Sequence, residues 1–202
     1  MVTHNKRVQK EIPSRGQLLH TIKKVKTRNT TRDRALIALE YLTGARVSEL
    51  LQVKRIQIEK VYKINSDFIQ INNVPTLKRR KPMIRTVLIP VLREKDYLLV
   101  VLEYVNRLDA EQILFPMTRQ RAWQIVHDNT GYFNHFFRHI RATHLTTDYG
   151  FTAQQLRQFF GWASSSMADN YSHLNMEDIA RKMSPPELHP AASSPVTTPV
   201  TP

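Results

Sequence analysis

Apolar side chains along this chain change their spacing twice, and the changes predict its elements. Leu18, Leu19 and Ile22 form a short stripe that predicts a partly ordered helix near residues 17–25. From Thr31 the recurrence of Leu36, Leu39 and Leu42 predicts a longer helix, with Thr30 or Thr31 as its N-cap and Gly44 at its end. Val47, Leu50 and Leu51 predict a second, short helix. Over 61–91 the helical period is lost. Phe68, Ile69 and Ile71, then Val87, Leu88 and Ile89, read as strands around a basic connection, a small sheet with a hairpin. Helical spacing returns in pieces near 97–108, 119–129, 135–149, 153–162, 165–173 and 176–183. Gly131, Gly150 and Gly161 punctuate them, and Thr152 and Ser164 suit N-caps. The expected fold is mainly α with a small antiparallel β-sheet, an α+β class.

The two ends read differently. Residues 1–30 form a basic arm, with eight cations and a single acid, Glu11, before residue 29. Residues 184–202 hold six of the 11 prolines, several Ser and Thr and no Lys or Arg, a composition expected to stay disordered. The folded unit is expected over 31–183.

Charge narrows the partner. Thirty Lys and Arg stand against 17 acids, a net +13, which points to a polyanion, most simply nucleic acid. No cysteine is present, so neither a disulfide nor a thiolate metal site can form, and a reducing cytoplasm suits the chain. No apolar run approaches the length that crosses a membrane.

Covalent phosphodiester cleavage needs a nucleophile, cations for the non-bridging oxygens and an acid for the leaving alkoxide. His135 and Arg138 lie three residues apart in Asn-His-Phe-Phe-Arg-His-Ile-Arg-Ala-Thr-His-Leu, so a helix puts them on one face. The planar fork of arginine fits two phosphate oxygens. Arg46 follows the helix end at Gly44, with Glu49 three residues on to orient it. Tyr171 lies in a short polar helix after Gly161-Trp162. Singly, each has a plainer reading: a basic surface helix, an exposed Arg–Glu pair, an amphipathic tyrosine.

Together, in this order and spacing, they resemble the tyrosine recombinases, or phage integrases. Gly44-Ala-Arg46-Val-Ser-Glu49-Leu-Leu matches the family's first box, His135 to Leu145 the second, and Gly161-Trp162 with Tyr171-Ser-His173 the third. The basic hairpin falls between the first two boxes, and the match runs from about Thr31 to Met183.

The resemblance implies a tyrosine recombinase catalytic domain, with Tyr171 as the nucleophile, Arg46 and Arg138 as the phosphate clamp and His135 as the acid–base residue. Trp162 stands where most members carry His, which makes it a hydrogen-bond donor rather than a proton shuttle. For the hairpin lysine that protonates the departing 5′ oxygen, Lys78 in Thr-Leu-Lys fits the usual context; counting back from Ile89-Pro90 favours Lys81. Arg79, Arg80, Lys81 and Arg85 are expected to contact double-stranded DNA. The 3′-phosphotyrosine ester conserves bond energy, so neither metal nor nucleotide cofactor is expected. Typical members also carry an N-terminal clasp domain, whereas some 30 residues precede the pattern here, so a lone monomer is expected to bind weakly and salt-sensitively. A homo-oligomer on DNA is expected, joined by a helix at 176–183 with Met176, Ile179 and Met183 as its apolar stripe. Topoisomerase-type relaxation by the same chemistry, and DNA binding without catalysis, are the alternative readings.

Overall fold

The computed structural model describes residues 11–77, 83–162 and 166–169. The elements run α1 (Arg15–Lys24), α2 (Thr30–Thr43), α3 (Val47–Leu50), β1 (Ile58–Lys63), β2 (Ser66–Thr76), β3 (Met83–Pro90), α4 (Lys95–Val105), α5 (Arg119–Thr130), α6 (Asn134–Thr147), α7 (Ala153–Phe160) and α8 (Ser166–Asp169). The mainly α class with a small antiparallel sheet is therefore what forms. Among the described residues no helix is long and apolar enough to cross a membrane.

α2 is the central post, and its N-cap is Asn29 rather than Thr30 or Thr31, the Thr30 hydroxyl bonding back to the Thr27 N–H and carbonyl. Every residue from Ala35 to Thr43 is buried, and the helix packs on α4 and α6. Burial on all sides explains why its apolar pattern is nearly continuous rather than a single stripe. α1 starts with a reciprocal cap in which Ser14 and Gln17 satisfy each other's backbone N–H groups. Its Leu18 and Ile22 are fully buried in the same core, so the basic segment contributes packing as well as charge. Thr152 caps α7 in the same reciprocal way.

β2 is the middle strand, antiparallel to β1 and to β3. Ile69 faces Ile89 and Ile71 faces Val87, and these four side chains are buried on one side of the sheet. The register slips between Ile71 and Val74, where Asn73 takes a left-handed conformation. Thr76 pairs with Met83 and its hydroxyl donates to the Met83 carbonyl, closing the base of the hairpin.

A buried ionic cluster joins α1, α4 and α6 behind this core. Glu94 accepts from Arg141 at 2.6 Å, from Arg15 at 2.7 Å and from the Tyr149 hydroxyl at 2.6 Å. Burial alone would raise the Glu94 carboxyl. Arg141 beside it, the Tyr149 hydrogen bond and Arg15 hold it below the ordinary carboxylate range.

Candidate functional site

Two helix ends meet at one corner. α2 ends on Gly44 and α7 ends on Gly161, both in the left-handed conformation that glycine adopts without strain. Helix C-termini present unpaired carbonyls and the negative end of the dipole, so they attract cations. Two buried arginines answer this. Arg138, from the second turn of α6, donates Nη1 to Gly44 O at 2.7 Å and Nη2 to Phe160 O at 2.9 Å. Arg85, from β3, donates Nη1 to Phe159 O at 2.6 Å and Nη2 to Thr43 O at 3.3 Å. Each guanidinium thus bridges the last carbonyls of both helices.

Arg46 sits beside this corner as the N-cap of α3. Its backbone N–H donates to Glu49 Oε2 at 3.0 Å and its Nη1 to Glu49 Oε1 at 2.8 Å. Glu49 is fully buried while the Arg46 side chain keeps 26% of its exposure. One carboxylate therefore fixes both ends of the arginine and leaves the guanidinium reachable from solvent. Gly44, whose carbonyl receives Arg138, is two residues before Arg46, so both arginines of the expected clamp are referred to one backbone corner.

Aromatic rings floor the corner. Phe160 stacks on Trp162 with centroids 4.7 Å apart and planes 20° apart, and the Arg138 guanidinium lies 4.7 Å over Phe160 and 5.5 Å over Trp162. Trp162 is buried. The hairpin base closes in from the other side: a methyl group on Gly161 would lie 3.0 Å from Thr76 Cγ2 and 3.4 Å from Arg85 Cδ. His135 is exposed on the first turn of α6, and its ring meets that of His139 edge-on at 5.0 Å. Burial, then the neighbouring Arg138, lowers the His139 imidazole from its ordinary value.

Arg85 corrects an expectation. Its place in the run of cations put it among the DNA contacts, but the side chain turns inward onto the Phe159 and Thr43 carbonyls and is buried. Burial pulls the guanidinium down to about 10, with Glu49 opposing this and Arg46 adding to it. It stays cationic at neutral pH and works as a brace of the site. Tyr149, the other tyrosine near the third box, gives its hydroxyl to Glu94, and burial together with that carboxylate raises it well above an ordinary phenol. That geometry suits a structural donor, not a nucleophile.

The structure brings Arg46, Arg138 and Trp162 together, with His135 on the turn before Arg138. Lys78, Arg79, Arg80, Lys81 and Tyr171 lie outside the described residues, as do the Ser164 cap and the helix expected at 176–183. Sequence reasoning missed Phe160 and the inward turn of Arg85. An aromatic directly before Gly161-Trp162 was the available signal for the first; the second had none, since both acceptor carbonyls come from distant helices.

The chain is 30% identical over 177 residues to the tyrosine recombinase XerD of Staphylococcus saprophyticus, covering 81% of this chain and 57% of that protein. It spans a little over half the length of the XerD relatives it matches. Among solved structures it is similar in fold to the XerH site-specific recombinase bound to its difH substrate in a pre-cleavage complex, with a TM-score of 0.57 and 22% identity over 84% of this chain and 53% of that one. It is similar also to XerA recombinase, with a TM-score of 0.56 and 19% identity over 90% of this chain and 65% of that one. Residues 14–178 match the phage integrase family, which places the three boxes, the hairpin and the corner they build inside a single family signature: the chain belongs to the phage integrase family.

Proposed function

We propose that this chain cleaves and rejoins DNA strands, with Tyr171 as the nucleophile. The Tyr171 hydroxyl oxygen attacks a backbone phosphorus, the bond from phosphorus to the 5′ oxygen breaks, and a 3′-phosphotyrosine and a free 5′ hydroxyl result. His135 takes the phenolic proton. Lys78, or Lys81 in its place, returns a proton to the departing 5′ oxygen. Attack by the 5′ hydroxyl of a partner strand on the ester reverses these steps and exchanges the strands. The ester keeps the bond energy, so the cycle is energetically closed without a nucleotide.

The observation that carries this reading is the convergence of Arg46 and Arg138 on one rigid corner. Charge that builds on the phosphate oxygens is best stabilised by donors already in place. Arg46 is fixed by a fully buried carboxylate. Arg138 is held by two backbone carbonyls, one from each helix end. Trp162 supplies an indole N–H at the same corner. The +13 net charge supplies the general attraction to double-stranded DNA. Exchange needs two cleaved duplexes held together, so a second copy of the chain on DNA is part of the reading, with the segment 176–183 as the joining element.

A duplex nicked beside the cleavage site tests it. The short piece that carries the free 5′ hydroxyl diffuses away after cleavage, so the protein–DNA ester accumulates as a band that survives denaturation. Tyr171→Phe abolishes the band while retaining DNA binding, because one hydroxyl adds little to a charge-driven interface. A covalent adduct formed by Tyr171→Phe sinks the assignment.

A further inference from the structure

Glu40 is the one charged residue in the buried run from Ala35 to Thr43, and it is fully buried. An ionised carboxylate in such a place is costly unless a cation or several donors meet it. The described residues bring it one donor: Asn134 Nδ2, at 2.7 Å from Oε1. Its Oε2 is buried without a hydrogen-bond partner among the described residues, and so is Asn134 Oδ1. Were Glu40 ionised, both orphan atoms would be acceptors lacking a donor. A proton on Oε2 makes the missing donor, between two side chains already joined. Acid and amide then pair in both directions.

The pair lies where it bears on the site. Glu40 is one turn before the end of α2, and its carbonyl accepts the Gly44 N–H at 2.9 Å. Asn134 is the first residue of α6, directly before His135 and four before Arg138. We propose that Glu40 and Asn134 are positioning residues, an acid–amide joint that sets the first turn of α6 against the end of α2 and thereby places His135 and Arg138 relative to Arg46. The proposal rests on the strand-cleavage reading of that site.

Burial pushes the Glu40 carboxyl up to about 8, and the hydrogen bond from Asn134 opposes this. The elements packed on α2 carry Arg15 on α1, Glu49 on α3, Arg85 on β3, Tyr97 on α4, His127 on α5 and His135, Arg138 and His144 on α6, while the hydrogen bond to the Glu40 carboxyl comes from Asn134. At neutral pH the joint holds its proton; in alkaline solution it loses the donor and gains a buried charge. The linkage follows. Glu40 binds a proton in the folded state that it loses in the unfolded state, so its contribution to stability falls as pH rises from the ordinary carboxyl value, 4.5, to about 8.

The test uses the full chain on the nicked duplex. Glu40→Gln replaces the protonated acid by an amide that still offers a donor. It keeps the parental rate within a small factor at neutral pH and extends the profile to higher pH. Glu40→Leu, of similar volume, and Asn134→Ala lose roughly 10–100-fold in cleavage at saturating DNA, with DNA affinity unchanged, as expected for a misplaced catalytic turn. Either variant cleaving at the parental rate while folded overturns the positioning role, and so does a Glu40→Gln rate as low as that of Glu40→Leu. Thermal unfolding is the DNA-independent readout. The Tm advantage of Glu40→Gln over the parent grows between about pH 5 and pH 8; a constant difference overturns the protonated joint. If the parent forms no covalent adduct, the reading of the site fails and the positioning role with it, while the unfolding series still decides whether Glu40 holds its proton.

Discussion

Gly44→Ala puts the corner under direct strain. Gly44 has φ +55°, a left-handed conformation that costs a residue with a Cβ roughly 1–2 kcal/mol. The new Cβ would also lie 2.2 Å from Phe160 Cε1 and 3.0 Å from Cδ1. Carbon atoms rest at about 3.5–4.0 Å, so the ring must move by more than about 1 Å. It has little room, since Phe160 is fully buried and packs against both Trp162 and the Arg138 guanidinium. Overpacking of a closed core costs about 1–3 kcal/mol. The sum is about 2–5 kcal/mol, a Tm decrease on the order of 10 °C for a chain of this size. Gly131→Ala is the internal control: Gly131 has φ +69°, but nothing lies within 4 Å of its added Cβ, so only the conformational cost remains. The clash has a second effect. Gly44 O and Phe160 O are the two acceptors of Arg138, and both are displaced. Cleavage of nicked DNA, measured below both melting temperatures, falls on the order of 10²-fold in Gly44→Ala and not in Gly131→Ala. Equal stability losses in the two variants, or parental cleavage by Gly44→Ala, would falsify the account of the corner.

Four further outcomes are expected. Arg46→Lys keeps a charge but loses the fork held by Glu49, so single-turnover cleavage falls roughly 10²–10³-fold; a parental rate removes Arg46 from the clamp. Arg141→Ala leaves the Glu94 carboxylate buried without its main partner and costs about 3–5 kcal/mol in denaturant unfolding. Because Glu94 titrates below its unfolded value, its contribution is present above that value and is lost as pH falls through the folded one, so Glu94→Gln flattens the acid side of a Tm–pH curve; an unchanged slope refutes it. Lys78→Ala regains cleavage on DNA with a 5′-bridging sulfur if Lys78 is the general acid, since a thiolate departs without protonation; rescue of Lys81→Ala alone moves the role there.

Much of the fold was legible because it rests on local rules. The helical recurrence from Thr31, the glycine at 44 and the cap at Thr152 each act within a few residues, and each appears where the sequence puts it. β1 was harder. Ile58–Lys63 buries only Ile58 fully and otherwise faces outward, so its apolar signal is thin, and the strand region read from 61 onward missed its start. The basic arm hid a buried helix for the opposite reason: cations dominate its composition while Leu18 and Ile22 carry its packing. At the site, spacing brought out Arg46, His135, Arg138 and Trp162. It could not reveal Arg85, whose acceptors lie 42 and 74 residues away. Nor did it reveal Glu40, whose chemistry depends on an asparagine 94 residues on.

The bracing of α2 and α7 by Arg138 bears on how sequences of this kind are read. A side chain that ties two helix ends together is retained for architecture even where no DNA is cut, because losing it strands two buried carbonyls. Its presence is therefore a poor witness to activity. Arg46 is about a quarter exposed, and its partner Glu49 keeps the Arg46 backbone N–H and the nearby Arg85 charge when the side chain is lost, so the scaffold asks less of it. In a lineage that has abandoned strand cleavage, drift should reach Arg46 first and Arg138 last. An intact Arg46 is the more telling sign of a working enzyme.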